Sequence, residues 1–331
     1  MSMSDPLEDR VGKDIAISAG PKERLHEGGA PGSSDVPEQE DRWRFEEGDE
    51  IAPGLHALRS LGGGTRYEVY LAWKEDLHCL VVAKVLRPKS VNSNSARDGL
   101  DREARLLEHL QHPGLLRCFD TVVDGPRPHL VLEFLEGPRL STLLRRFGTL
   151  AREQLAPLVL QLCSVLHFMG VRKTLHLDVK PQNIIMGPVP RLIDLSIARS
   201  FEEGRGLKDP VGTDAYMAPE QCVPQSADGV GPAADIWGLG VTFYETATGS
   251  RPFPHADDND STQMKPWPQL EFAPAPLGDH FPPVLAQLIF ACLEPRPEDR
   301  PEAADLAKSL EEVVATLPRR PVLGRLRPKL H

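Results

Sequence analysis

Two segments of the chain decide its interpretation: residues 175–186 read LHLDVKPQNIIM, and residues 191–196 read RLIDLS. In the first segment, polar residues alternate with apolar residues that can anchor a loop. Asp178 can accept a hydroxyl proton, Lys180 can stabilise charge on a transferring phosphate, and Asn183 can hold a metal ion. Asp194 follows an apolar run and offers a second oxygen ligand. Because Mg²⁺ prefers a few protein oxygens beside nucleotide phosphates, the two segments predict a phosphoryl-transfer site.

A glycine-rich turn lies upstream, where residues 61–69 read LGGGTRYEV. Glycines between two strands let backbone N–H groups approach a phosphate closely. Lys84 ends the apolar run VVAK at residues 81–84, and Glu103 follows on a predicted helix. Taken singly, these motifs have ordinary alternatives: a plain hairpin, a solvent-exposed lysine and a solvated helix charge. Together they favour a phosphate clamp in which Glu103 holds Lys84.

The pattern of apolar residues predicts a strand-rich first part of the chain and a helical second part. Five strands are predicted at residues 56–61, 68–73, 78–86, 115–123 and 129–134, since these short runs are bounded by turn residues. One amphipathic helix is predicted over residues 95–111, with Asn94 or Ser95 as its cap. After Gly137 the pattern becomes mostly helical.

Four longer helices are predicted in the second part, at residues 155–169, 236–248, 283–292 and 301–316. Pro157 removes a helix donor, so the first of these helices is predicted to become regular only near that residue and to end at Gly170. Residues 236–248 are apolar on nearly all sides, which predicts a buried central helix. Residues 251–283 contain eight prolines and are expected to be irregular.

In this order the motifs resemble the eukaryotic-like (Hanks-type) protein kinase family, and in particular its bacterial serine/threonine members. The resemblance covers about residues 55–316 and also rests on the later runs GTDAYMAPE, DIWGLG and EDRPEA. It implies an α+β bilobal fold, with a small antiparallel β-sheet N-lobe that carries one helix and a larger, mostly helical C-lobe. It implies a serine/threonine protein kinase that transfers the γ-phosphate of Mg²⁺–ATP to protein hydroxyls. The chain's own hydroxyls are among the implied acceptors, that is, autophosphorylation.

The resemblance also implies a role for each matching position. The implied catalytic residues are Asp178 as the base, Lys180, Lys84 and Glu103. The implied magnesium ligands are Asn183 and Asp194. The implied nucleotide-binding residues are Leu61, Gly62, Gly63, Gly64, Val69, Val82, Lys84, the gatekeeper Leu132, and Glu133 and Leu135 of the hinge. Outside the site, Glu220 and Arg300 match a buried ion pair, and Asp235 matches a residue that braces the catalytic loop.

Three motifs depart from the family pattern: Tyr67 replaces the third glycine, Leu177 replaces the arginine before Asp178, and Leu195-Ser196 follows Asp194. The replaced arginine normally binds an activation-loop phosphate through charge-assisted hydrogen bonds, which a leucine cannot make. Residues 196–213 also offer only three hydroxyl groups. We therefore predict that activity does not depend strongly on phosphorylation of the activation loop.

Two other functions stay open at this point. The departures at Tyr67, Leu177 and Leu195 are compatible with a pseudokinase that acts as an ATP-binding scaffold. A small-molecule phosphotransferase of the aminoglycoside or choline type would share the loop around Asp178. Against the first alternative, the residues expected to bind phosphate and metal are all retained. Against the second, Lys180 and the run APE at residues 218–220 match protein kinases.

The net charge of −10 is unevenly distributed along the 331 residues. Residues 1–50 carry −8 and residues 318–331 carry +5. We expect residues 1–50 to form a disordered acidic tail whose end, near Trp43 and Phe45, packs onto the domain. Residues 51–317 are expected to form the kinase domain, with the N-lobe at about 51–134 and the C-lobe at about 135–317, and residues 318–331 a basic, proline-rich tail.

Composition argues against several other classes of protein. The overall acidity argues against a generally basic nucleic-acid binder. No run of roughly 18 apolar residues predicts a membrane span, and no apolar signal core follows the N-terminus. The five cysteines are scattered and never form CxxC, which argues against a disulfide framework or a structural zinc site. We therefore expect a cytoplasmic enzyme whose partners are ATP and protein substrates.

Overall fold

The computed structural model describes residues 41–226, 229–254, 267–278 and 280–317. Within this part of the chain, an antiparallel sheet and one long helix form a first lobe, and helices dominate the second lobe. The chain crosses between the lobes after Glu133. The α+β bilobal fold class that the sequence predicted is confirmed.

The first lobe is built on six strands in the order β1-β2-β3-β4-β6-β5, with antiparallel neighbours. The strands are β1 Glu50–Ala52, β2 Leu55–Gly63, β3 Tyr67–Lys74, β4 Cys79–Leu86, β5 Cys118–Val122 and β6 His129–Glu133. Successive side chains of a strand point to opposite faces of the sheet. On β4, Val81, Ala83 and Val85 are therefore buried in a core on the outer face. Val82 and Lys84 project from the other face, toward the second lobe.

Helix α1, Asn94–His109, is the one long helix of the first lobe. Its cap is Ser93, whose hydroxyl accepts the backbone N–H of Ala96 at 3.3 Å. The predicted cap at Asn94 or Ser95 is wrong, because the last extended residue lies one position earlier and Asn94 is already helical. The buried face of α1 carries Glu103 among leucine and alanine side chains, so a carboxylate is directed at the sheet.

The segment that precedes β1 lies against the outer face of the sheet. Trp43 Nε1 donates to the Leu86 carbonyl at 2.7 Å. The rings of Trp43 and Phe45 stack with centroids 6.0 Å apart, and Phe45 meets Tyr70 edge-on at 5.3 Å. The guanidinium of Arg127 lies over both stacked rings. This is the packing that the sequence predicted for the end of the N-terminal tail.

A Trp43→Ala variant tests how much this segment contributes to the first lobe. We expect the free energy of unfolding to fall by about 1–3 kcal/mol, because a hydrogen bond and the stacking on Phe45 and Arg127 are lost together. Urea unfolding followed by far-ultraviolet circular dichroism measures the change. The exposed neighbour Arg42 supplies the control, since Arg42→Ala should leave the midpoint almost unchanged. An unchanged midpoint in Trp43→Ala would show that the segment only rests on the sheet.

The second lobe contains seven α-helices in the described residues. They are α2 Leu140–Phe147, α3 Arg152–Val171, α4 Phe201–Arg205, α5 Pro219–Cys222, α6 Ala233–Thr248, α7 Pro283–Cys292 and α8 Ala303–Thr316. Two short antiparallel pairs flank the catalytic loop, β7 Thr174–Leu175 with β10 Arg199–Ser200 and β8 Ile184–Ile185 with β9 Arg191–Leu192. Helix α6 is buried almost throughout and ends at Thr248, as the sequence predicted, with the left-handed Gly249 as its cap, but it begins at Ala233, three residues before the predicted start.

Helix α3 differs from its prediction at both ends. It begins at Arg152 and includes Pro157 in its interior, although the sequence placed the regular helix only near that proline. A proline inside a helix removes a hydrogen-bond donor and costs about 3 kcal/mol. Burial of Leu155, Leu158 and other apolar residues in the main core offsets this cost. At the other end the helix continues through the predicted cap Gly170 to Val171. Lys173, with φ of 55°, then turns the chain.

Parts of the predicted tails lie outside the described residues, namely residues 1–40 and 318–331. So do residues 227–228, residues 255–266 of the proline-rich stretch, and residue 279. The predicted domain limits stay predictions. Among the described residues, the stretch Glu153–Val171 has the length and hydropathy of a membrane span, and half of it is buried in the fold. A core helix has the same properties, so this stretch is weak evidence for a membrane segment.

Candidate active site

Asp235, in the first turn of α6, fixes the loop that carries Asp178. Its carboxylate accepts the backbone N–H of His176 at 2.8 Å and that of Leu177 at 2.7 Å. Leu177 has φ of 65°, a left-handed conformation that is costly for a leucine and persists only where its surroundings impose it. Gln221 Nε2 donates to the Leu177 carbonyl at 3.1 Å. These contacts agree with the bracing role expected of Asp235.

The carboxylate of Asp178 is the centre of a buried hydrogen-bond network. Thr213 Oγ1 donates to Asp178 Oδ1 at 2.7 Å, and Asn183 Nδ2 donates to Asp178 Oδ2 at 2.9 Å. Lys180 Nζ lies 3.0 Å from Asp178 Oδ2 and also donates to the Thr213 hydroxyl. The structure thus brings together a carboxylate, an ammonium group and a hydroxyl whose residues are up to 35 positions apart.

A second cluster joins the two lobes around Lys84. Its Nζ donates to both carboxylate oxygens of Glu103 at 2.8 Å and to Asp194 Oδ1 at 3.0 Å. Only 7% of Lys84 and 1% of Glu103 are exposed. Burial alone would lower the pKa of Lys84, but the carboxylates of Asp194 and Glu103 raise it well above its usual range. Burial alone would raise the pKa of Asp194, but Lys84 holds it well below its usual range. Both groups are therefore charged at neutral pH.

The cleft between the lobes is lined by the Lys84 cluster and by the connecting segment, residues 133–135. Of the predicted nucleotide-binding residues, it is lined by Leu61, Val69, Val82, Lys84, Leu132, Glu133 and Leu135. Gly62, Gly63 and Gly64 do not line it: Gly62 and Gly63 are the last residues of β2, and Gly64 begins the turn to β3. Gly63 has φ of 149°, and a Cβ there would meet the Tyr67 carbonyl at 2.3 Å. This position therefore requires glycine.

Arg139 is a cleft residue that sequence reasoning missed. It lines the same cavity as Lys84 and Asp194, and its Nη1 donates to the Gln182 carbonyl at 3.1 Å. Its Nε is buried without a hydrogen-bond partner in the described structure. Burial lowers the pKa of its guanidinium, while the charge of Asp194 raises it. Arg139 is the N-cap residue of α2 and forms a backbone bridge with Ile185, and this tertiary contact brings it into the cleft.

Asn183 and Asp194 have the donor chemistry that Mg²⁺ prefers. The amide nitrogen of Asn183 donates to Asp178, so its oxygen is the atom left for a cation. Asp194 is adjacent to Ile193, whose N–H donates to the Asn183 carbonyl at 2.9 Å. Asp194 has φ of 70° and keeps its negative charge. Two oxygen ligands of this kind fit a cation that completes its shell with phosphates and water.

The two leucines that depart from the family pattern are both buried in the main core, with Leu177 3% and Leu195 1% exposed. Leu177 therefore presents no polar group to the activation segment. The hydroxyl of Ser200 caps the short helix α4, where it accepts the Glu203 N–H at 3.2 Å. Ser196 lies beside Asp194, and its backbone N–H donates to Asp194 Oδ1 at 3.3 Å.

Comparison with known proteins identifies the type of domain that this fold and site resemble. Residues 55–310, more than half of the chain, match the model of the protein kinase domain. The serine/threonine-protein kinase PknB of Mycobacterium leprae is 32% identical over 202 residues, which cover 58% of this chain and 32% of that protein.

Two further relatives match over a longer part of the chain. The serine/threonine-protein kinase Pkn1 of Myxococcus xanthus is 32% identical over 256 residues, 73% of this chain and 36% of that protein. The serine/threonine-protein kinase PkaA of Streptomyces coelicolor is 32% identical over 243 residues, 70% of this chain and 43% of that protein. The chain thus spans about a third to two fifths of the length of these curated relatives.

Proposed function

The chain belongs to the protein kinase family, and from this premise we propose that it transfers the γ-phosphate of Mg²⁺–ATP to serine and threonine hydroxyls of proteins. The observation that carries the proposal is the network around Asp178, in which Thr213, Lys180 and Asn183 all contact one buried carboxylate. A base that must meet a substrate hydroxyl needs such fixed geometry, because orientation supplies much of the rate enhancement. The names of the related kinases also support it.

The nucleotide would enter the cleft between the lobes. Val82 and Leu132 offer apolar walls to the adenine, and the backbone of residues 133–135 offers hydrogen-bonding groups. Lys84, charged and fixed by Glu103, would hold the phosphates. Asn183 and Asp194 would hold Mg²⁺, which when bound neutralises charge on the phosphates.

The acceptor hydroxyl would approach Asp178. Its proton passes to the Asp178 carboxylate as the hydroxyl oxygen attacks the terminal phosphorus, and the bond to the leaving ADP breaks. Lys180, next to this carboxylate, would stabilise the charge of the transferred phosphoryl group. Lys180 also donates to the Thr213 hydroxyl, and this contact holds its ammonium group on the side where the acceptor would approach.

Incubation of the purified chain with γ-labelled ATP, Mg²⁺ and a generic basic protein tests the proposed function. Label on serine or threonine of the protein, or of the chain itself, supports it. The pseudokinase alternative predicts nucleotide binding without transfer, and the small-molecule alternative predicts transfer to an aminoglycoside or choline only. Phosphoamino-acid analysis separates serine and threonine from tyrosine acceptors.

Activity should not depend on phosphorylation of the activation segment. We expect phosphatase-treated protein and a Ser200→Asn variant to keep most of their activity, because Leu177 is buried and cannot bind a phosphate. Asparagine replaces the hydroxyl but retains an acceptor for the cap of α4, whereas Ser200→Ala also loses a cap worth about 0.5–2 kcal/mol. Initial rates before and after phosphatase treatment measure the effect. Loss of activity in folded Ser200→Asn would contradict this expectation.

We propose a cytoplasmic location and protein substrates, with no nucleic-acid partner. All five cysteines are free, which fits a reducing compartment. Fractionation of cells that express the full chain, followed by immunodetection, tests the location.

A further inference from the structure

Tyr67 stands at the position of the third glycine and is the first residue of β3. It pairs with Leu86, while Val69, two residues on, pairs with Lys84. Since residues two apart share a face of a strand, the Tyr67 side chain points to the same side as Lys84. Its ring centroid lies 4.7 Å from Lys84 Nζ, within the range of a cation–π contact.

The same side chain also reaches helix α1. A Cβ built on Gly99 would lie 3.6 Å from the Tyr67 hydroxyl, which is ordinary van der Waals contact. Gly99 precedes Glu103 by one helical turn, so the Tyr67 hydroxyl approaches α1 one turn before the carboxylate that holds Lys84. Tyr67 packs against the main core rather than lining the nucleotide cleft. It therefore spans the glycine-rich turn, Lys84 and helix α1 without filling the space of the nucleotide.

Charge and burial are consistent with this arrangement. Burial raises the pKa of Tyr67 to about 12, against the opposing effect of Lys84, so the phenol stays neutral at physiological pH. A neutral ring can cover a buried ion pair without adding a competing charge. Leu177 is buried and carries no positive charge, so it cannot bind a phosphate of the activation loop. A phosphate held at residue 177 therefore cannot help to fix α1.

We propose that Tyr67 is a positioning residue that fastens helix α1 to the glycine-rich strand and keeps the Lys84–Glu103 pair assembled before the nucleotide binds. The proposal rests on the proposed kinase function, which it deepens. Without the ring, only a fraction of the free enzyme has the Lys84–Glu103 pair assembled. Nucleotide binding must then shift the remaining molecules to the assembled state. Apparent affinity then falls in proportion to that fraction, while the rate at saturating ATP is preserved.

The experiment compares Tyr67→Gly, Tyr67→Leu and Tyr67→Phe in the full chain. For Tyr67→Gly we expect the KM and Kd for Mg²⁺–ATP to rise about 10-fold, a size typical of losing one cation–π contact, with kcat within about threefold of the original. Tyr67→Phe keeps the ring and should resemble the unmodified protein. Tyr67→Leu keeps an apolar side chain against the main core but loses the π-face over Lys84, so its KM should lie between the two.

A control separates positioning from other effects. Thr65→Gly adds a glycine to the same exposed turn without touching Lys84, and it should leave the Kd within about twofold. If Tyr67 only stabilised the fold, its replacement would reduce the amount of active protein. The apparent kcat would then fall, and the KM would stay unchanged. An unchanged or lower Kd in Tyr67→Gly, or a Tyr67→Phe variant as impaired as Tyr67→Gly, would overturn the proposal.

Direct binding keeps this test distinct from a test of the kinase function. The Kd for Mg²⁺ with a non-hydrolysable ATP analogue is measured by calorimetry and needs no phosphoryl transfer. If the unmodified protein binds the analogue but transfers nothing, the kinase function fails while the binding comparison still decides the role of Tyr67. If it transfers phosphate and all variants bind equally, the positioning role alone fails.

Discussion

The Asp178→Asn variant is expected to lose roughly 10²–10⁴-fold in phosphoryl transfer while it still binds Mg²⁺–ATP. Asparagine has the size of aspartate. With its amide oxygen in the place of Oδ2 it accepts from Asn183 and Lys180, and its amide nitrogen can donate to the Thr213 hydroxyl, so the loop should keep its shape. It is not basic enough to take the proton of a substrate hydroxyl. The variant therefore loses an interaction that is made only in the transition state. Such a loss lowers kcat without raising the KM for ATP.

Lys84→Met provides the matched comparison. It removes a charge that contacts both Glu103 and Asp194, and it leaves Glu103 buried without its partner. We expect transfer to fall and the Kd for Mg²⁺–ATP to rise, because Lys84 would contact the phosphates in the ground state as well. Calorimetry with ATP and initial rates with labelled ATP, run on both variants, separate the two patterns.

Two results would contradict this assignment. Transfer by Asp178→Asn at the rate of the unmodified chain would remove Asp178 as the base. Equal losses of ATP affinity in both variants would show that Asp178 shapes the nucleotide site rather than the chemistry. Circular dichroism and the melting temperature verify that each variant is folded.

The sequence was most informative where local pattern and tertiary structure agree. The apolar run at residues 78–86 predicted a strand that carries Lys84, and β4 is this strand. The apolar run before Gly249 predicted α6 and its end correctly. The predicted partner of Lys84 is Glu103 in the structure as well. That pairing was not visible from α1 alone, since a charge on a helix is usually solvated, and it came from the ordered set of motifs.

Prediction failed where packing outweighs local preference. Pro157 lies inside α3, because the apolar residues on either side of it, such as Leu155 and Leu158, are buried in the core. The cap of α1 moved by one residue, since Ser93, Asn94 and Ser95 have similar capping chemistry and only the path of the loop selects among them. Arg139 enters the cleft through tertiary packing, which leaves no signal in a short motif. Tyr67 was visible as a departure, but its contact with Lys84 and its position beside Gly99 of α1 required coordinates.

The Arg300→Met variant is expected to lower the free energy of unfolding by about 3–5 kcal/mol, the largest stability effect that we foresee. Arg300 and Glu220 form a bidentate pair at 2.7 and 2.9 Å, and their side chains are 0% and 2% exposed. Arg300 also donates to three backbone carbonyls, of Ala233, Glu294 and Pro295. Methionine fills much of the volume but leaves Glu220 as an unpaired charge away from water.

Removal of the orphaned Glu220 charge should recover part of the lost stability. A double variant, Glu220→Leu with Arg300→Met, removes the orphaned charge and should regain part of the stability, although the three carbonyls still lack their donor. Arg300→Lys keeps the charge without the planar fork and should fall between the unmodified chain and Arg300→Met. Arg296 pairs with Asp299 at the surface, so Arg296→Met serves as the control and should barely move the urea midpoint. If Arg300→Met and Arg296→Met unfold at the same urea concentration, the buried pair does not stabilise the second lobe.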